Sequence, residues 1–222
     1  MGVIVQIYEV GNPEEGVALA KRGVDHVGVL VGNGAFPREL SAAKAKAIFN
    51  ALPEATKRVA LSLSSDPDEI ARVASETRPD ILHVGAAIEL ISANQVRDLK
   101  GRFPKLAWMR AIPVVGEEAI AWTKAYEGIA DWLLLDSHKA GDRQIGALGI
   151  THDWSISRRI VEATRTPVIL AGGLGPDNVA DAIRVVRPAG VDSKTKTDRA
   201  DGKGKDLAKV ERFVANAKAA VL

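Results

Sequence analysis

The 222-residue chain contains no cysteine, which excludes disulfides, thiolate metal sites and a cysteine nucleophile or base. It has little net charge. Thirty basic residues stand against 28 acidic ones, a formal +2, too little to imply a nucleic-acid or membrane partner. No run approaches the roughly 18 apolar residues of a membrane span. The N-terminus enters strand-like sequence without the basic and apolar regions of a secretory signal. A cytoplasmic, soluble protein is the expectation. There is no G-x-G-x-x-G after the first strand and no Walker-type loop, which weakens a doubly wound nucleotide-binding sheet. His138 and His152 are too far apart, and too poorly supported by carboxylates, to argue for a metal; neither metal nor cofactor is expected.

What is present is the balance of a globular protein, with 46% hydrophobic and 26% charged residues, arranged as a repeated alternation. Short β-rich runs occur at 3–8, 25–31, 58–63, 80–85, 106–112, 131–137, 167–173 and 189–193. Helix-like stretches lie between them, such as "PEEGVALAKRG" and "DPDEIARVASETRP", opening on Pro, Ser or Asp and several closing on Gly or Pro, as helix-boundary chemistry requires. Eight strand-plus-helix units imply right-handed crossovers and a parallel sheet closed into a (β/α)8 TIM barrel, with residues 1–222 as a single domain.

Chemistry in such a barrel sits at the C-terminal ends of the strands. Those positions hold Gln6, Tyr8, Glu9, Arg38, His83, Arg110, Asp136, His138, Gly172, Gly173, Asp192, Ser193 and Lys194. In "VIVQIYEV", Val3, Val5 and Ile7 share one face while Gln6 and Tyr8 occupy the other, a polar end that a strand buried on both faces does not need. In "VILAGGLGPDNVADAI", a Gly pair precedes a helix opened by residues 175–178. Glycines let the backbone approach a phosphate, and helix-start amides favour one; the alternative is a tight turn with no ligand.

Several segments resemble the phosphoribosylanthranilate isomerase family of tryptophan biosynthesis. "LAGGLGPDNVADAI" is similar to its strand-7 and helix-7 segment, "WLLLDS" to the strand-6 motif with its catalytic aspartate, and "GITHDW" to its G-x-T-x-D-W loop. "FPREL" is similar to its S-P-R loop, and "GKGKD" to the start of its last helix. The resemblance implies the ribulose-phosphate-binding type of barrel and an Amadori rearrangement, in which a ribosylamine phosphate opens and becomes an aminoketose phosphate. It implies Asp136 as general acid, Arg38, His83 and Arg110 as substrate-binding residues, and Gly172, Gly173, Ser193 and Lys194 at the phosphate. The partner would be a small phosphorylated substrate, and the protein a monomer or homodimer.

The departures concern the base. Where the family reads V-K-I-C-G-I this chain reads "VQIYEV", so Tyr8 stands at the basic cysteine and Gln6 at the lysine. A tyrosine with its ordinary pKa of about 10 is a poor base at neutral pH; Tyr8 and Glu9 are the two candidates. Ala147 and Leu148 replace small polar positions of the strand-6 loop, His83 a glutamine, Arg110 a lysine, and "GVDSKTKTD" the serine-glycine phosphate loop. Arg110 has a second possible role, in an ion pair with Asp136 or Glu9. The charge-rich loop with Lys194, Lys196, Arg199, Lys203 and Lys205 has the composition of a solvated segment. Two functions follow: an isomerase on a phosphorylated sugar or sugar amine with an altered base, or a barrel without isomerase activity that binds or regulates.

Overall fold

The computed structural model describes residues 2–146 and 148–220. Eight parallel strands close on one another in sequence order: β1 (Ile4–Ile7), β2 (His26–Leu30), β3 (Lys57–Ser62), β4 (Ile81–Val84), β5 (Ala107–Pro113), β6 (Trp132–Asp136), β7 (Val168–Leu170) and β8 (Gly190–Ser193). The outer helices are α1 (Pro13–Ala20), α2 (Ala42–Ala51), α3 (Pro67–Thr77), α4 (Ala93–Arg102), α5 (Glu118–Ala125), α6 (Trp154–Ala163), α7 (Val179–Val186) and α8 (Leu207–Ala219). This is the (β/α)8 barrel that the alternation predicts. The chain closes because β1 pairs with β8 as well as β2, setting Gln6 beside Asp192 and Ile7 beside Ser193.

The helices start where their side chains satisfy the free amides of the first turn. Asn12, with Pro13 following, accepts from Glu15 N at 2.8 Å. Asp66 caps α3, Ser92 and Gln95 form a reciprocal capping box on α4, and Asp153 and Asp206 cap α6 and α8. Helix α7 is the exception to expectation: residues 175–178 form a turn, not the first helical residues. Asn178 Oδ1 accepts from Gly175 N at 2.8 Å and its amide donates to Gly173 O, using the side chain to hold the turn.

At the end opposite the site, one device recurs. Asp25, Asp80 and Asp131 precede β2, β4 and β6, and each accepts at 2.8 Å from a backbone amide of the preceding strand, at Val5, Arg58 and Trp108. Lys218, Arg58 and Lys100 neutralise them, so the barrel floor is pinned by charge-assisted hydrogen bonds.

Side-chain alternation sorts each strand. Val5 and Ile7 join the large core beneath the helices, whereas Tyr8 belongs with Val59, Ile81, Met109, Leu134 and Ile169 to a smaller cluster drawn from the strands and the residues just past their ends. That cluster fills the barrel. Gln6 and Tyr8 therefore point inward.

Candidate active site

The strand-6 aspartate is set by its own neighbours. Asp136 ends β6, where its Oδ1 accepts from Ser137 N at 2.7 Å. Two glycines press on the carboxyl: a Cβ at Gly146 would lie 2.1 Å from Oδ2, and one at Gly172 would lie 3.3 Å from Oδ1. Both have positive φ, 91° and 81°, so both conformation and space call for glycine. Burial pushes Asp136 up to about 7, against the opposing pull of the Ser137 hydrogen bonds, and a carboxyl protonated near neutrality is fit to donate a proton.

Asp136 opens on a cleft lined by Gly172, Gly173, Asp192, Ser193, Lys194 and Lys196. Gly172 and Gly173 make the tight turn, and a Cβ at Gly173 would strike Ile150 C at 2.6 Å. The backbone there lies against the ligand space. Lys194 lies 3.8 Å from Glu9 and 3.5 Å from Asp198. Ser193 differs from expectation: its hydroxyl donates to Leu174 O at 2.7 Å, tying β8 to the loop after β7. With its proton committed, it has no hydrogen left for a phosphate oxygen.

Tyr8 also differs. It is 4% exposed, and its hydroxyl lies 2.8 Å from His83 Nδ1. Burial, reinforced by the Asp192 charge, pushes the phenol well above its ordinary value, while burial and then the Arg110 charge push His83 down to about 3. The imidazole is neutral, and the phenol beside it keeps its proton. A phenol held protonated has no basic lone pair to offer, so this geometry opposes Tyr8 as the base. His83 Nε2 is buried without a hydrogen-bond partner.

Glu9 lies toward an adjoining cleft with Arg38, whose Nε is 3.1 Å away. Arg38 sits at a φ of 69° in a loop organised by Glu39, which accepts from Gly34 N at 2.8 Å. Arg110 is the clearest correction. It faces the helices, fully buried, and donates to Val84 O at 2.9 Å and Ala86 O at 2.8 Å, with its guanidinium over the Tyr126 ring. It pairs with neither Asp136 nor Glu9 among the described residues. Burial pulls its pKa down.

By holding the end of β4, Arg110 steadies the backbone that meets the strand-6 loop, where Ile145 N donates to Gly85 O and Ala87 N to Arg143 O. Arg110→Met is accordingly expected to cost about 3 kcal/mol of stability in urea denaturation, through carbonyls left unpaired, with KM for the substrate changed less than threefold. A large KM effect at unchanged stability would restore Arg110 to the binding residues.

The charge-rich loop is less solvated than its composition suggests: the Lys205 side chain is buried against Asp198 at 2.5 Å. Ala147 lies outside the described residues.

Four groups, Asp192, Gln6, His26 and His152, received no catalytic or binding role from the sequence. Asp192 is 6% exposed and accepts from Gln6 Nε2 at 3.2 Å, and Gln6 Oε1 lies 3.1 Å from His26 Nδ1. His152 binds Ser157 Oγ at 2.8 Å and turns a buried, unpartnered Nδ1 to the Gly172 turn. The signal for Asp192 is its place two residues after Gly190, on the inward face of β8.

Comparison with known proteins bears on the whole chain. The family profile described as N-(5'-phosphoribosyl)anthranilate (PRA) isomerase matches residues 7–216. An N-(5'-phosphoribosyl)anthranilate isomerase of Methanocella arvoryzae is 35% identical over 213 residues, covering 95% of each chain. The crystal structure of phosphoribosyl anthranilate isomerase from Thermotoga maritima superposes with a TM-score of 0.79 at 29% identity, covering 98% of this chain and 99% of that one. A second crystal structure, of phosphoribosyl anthranilate isomerase in complex with reduced 1-(o-carboxyphenylamino)-1-deoxyribulose 5-phosphate, gives 0.77 at 28% identity over the same shares. The chain belongs to the phosphoribosylanthranilate isomerase family.

Proposed function

We propose that this protein is an isomerase performing the Amadori rearrangement of phosphoribosylanthranilate or a close phosphorylated sugar amine. The observation that carries the reading is Asp136, a carboxyl raised to about 7 at the edge of a cleft walled by a glycine turn and two lysines.

The backbone at Gly172 and Gly173, with Lys194 and Lys196, supplies an anion site for the phosphate. Arg38 would take a carboxylate on the substrate's aromatic ring, exchanging Glu9 for it. Asp136 gives its proton to the ring oxygen as the bond from that oxygen to C1 breaks, leaving a hydroxyl and a C1–N iminium. A base then removes the C2 proton; the C–H electron pair forms C1=C2 and the C=N pair returns to nitrogen. The enol becomes the ketone when C1 gains a proton and the C2 hydroxyl loses one.

Residues 1–222 act as one domain in this reading, as a monomer or homodimer in the cytoplasm. Among the described residues no helix is long and apolar enough to cross a membrane.

Two outcomes test the proposal. Expression in a tryptophan auxotroph lacking the isomerase is expected to restore growth, and failure of well-expressed protein to do so counts against it. Because the acid must carry its proton, kcat/KM is expected to fall about tenfold per pH unit at high pH, on a limb near the Asp136 value of about 7. A profile flat to pH 9 would remove Asp136 from the acid role.

A further inference from the structure

We propose that Asp192, at the end of β8, is the general base that removes the C2 proton. The inference rests on the isomerase reading above and names the group that reading leaves open. Asp192 faces inward from β8 into the same cleft as Asp136. Its Oδ1 is held by Gln6, in register on β1, and Gln6 is in turn held by His26, whose ring meets Trp132 edge-on at 5.7 Å. Its Oδ2 takes no hydrogen bond among the described residues, which leaves a lone pair for substrate. The donor that orients the carboxylate is an uncharged amide, and no cation lies within ion-pair distance among the described residues. A lysine at position 6 would hold Asp192 permanently ionised and weakly basic. Glutamine positions it without that effect.

The alternatives just after β1 are less suited. Burial keeps the Tyr8 phenol protonated beside His83, and Glu9 is drawn by two cations, Arg38 and Lys194, toward the adjoining cleft. The charged or titratable groups around Asp192 are Asp136 on β6, Tyr8 and Glu9 just after β1, Lys194 and Lys196 after β8, and Lys205 before α8. Burial first, then the Asp136 charge, raise Asp192 to about 8, with Gln6 and Lys205 opposing. The two aspartates therefore share one proton near neutrality, and the productive arrangement, proton on Asp136, is within about tenfold of its mirror image. Asp192 accepts the C2 proton as the C–H pair moves to C1=C2, and the proton can return to C1 when the enol ketonises.

The test is turnover of phosphoribosylanthranilate and of its C2-deuterated form by wild type, Asp192→Asn, Glu9→Gln and Gln6→Lys. Binding of the reduced aminoketose phosphate serves as the folding and site-integrity control. Asp192→Asn is expected to lose about a thousandfold in kcat while retaining analogue binding within tenfold. Glu9→Gln should lose less than tenfold. Gln6→Lys should move the low-pH limb of kcat/KM down by at least one unit by ionising Asp192. Asp192→Asn within tenfold of an active wild type, or the thousandfold loss appearing in Glu9→Gln instead, overturns the inference and leaves the isomerase reading standing. An inactive wild type overturns that reading, and the inference falls with it.

Discussion

Asp136→Asn is expected to be more stable than the wild type at pH 8 and about a thousandfold slower. Both effects have one cause. In the unfolded chain the carboxyl ionises near 3.8, and in the barrel burial raises it to about 7. Below the unfolded value both states hold the proton, and the group leaves stability unaffected. As pH rises from about 4 to about 7, the unfolded chain releases its proton while the native state keeps it, so native stability declines. Above about 7 the loss is complete and amounts to at most about 4 kcal/mol, reduced by the solvent that reaches the cleft. Asparagine mimics the protonated form and escapes this penalty. The stability difference between variant and wild type, read by urea denaturation, should be near zero at pH 4 and grow through pH 7. A difference independent of pH would show that burial of the charge is not its origin.

The second large effect is steric. A Cβ at Gly28 would fall 2.0 Å from Tyr8 Cδ1 and 2.1 Å from Cε1, distances at which one group must move. The ring has little room: it is buried, its hydroxyl lies against His83, and it shares a cluster with Val59, Met109 and Leu134. Gly28→Ala is expected to destabilise the barrel by about 3 kcal/mol. Tyr8→Cys should cost a comparable amount by opening a cavity. The double variant should be less destabilised than the sum by about 2 kcal/mol, because the small residue makes room for the new methyl group. Additive losses would show that the two sites do not share the space. The second strand thus carries a glycine where the first strand carries a bulky phenol. Tyr8 is built into the barrel, which accounts for its lack of basicity.

How far the sequence led differs between fold and site. Strand and helix periodicity, Pro and Asp at helix starts, and the order of units specify the barrel because each is a local property of the chain. Seven of the eight strands begin and end within a residue of the expected runs, and β7 stops at Leu170, three residues short of the run 167–173. Inward alternation likewise placed Gln6 and Tyr8 on one face of β1. Side-chain partners were less legible. Arg110 is an even-numbered residue on β5, on the face opposite Met109, and reading that alternation would have turned it to the helices. The use of the Ser193 proton by Leu174 O depends on two loops meeting across the barrel end, which no spacing within the chain encodes. Asp192 acquires its character from burial and from Asp136, 56 positions away in sequence. Motif resemblance pointed to Asp136 as the acid, and the burial of Tyr8 against His83 opposes it as the base.

The most direct test is steady-state assay of the purified protein on freshly prepared phosphoribosylanthranilate, with Asp136→Asn as the background. The account predicts saturable conversion to the aminoketose phosphate by the wild type, reduced about a thousandfold in the variant. Conversion by the wild type no faster than that of Asp136→Asn would contradict it.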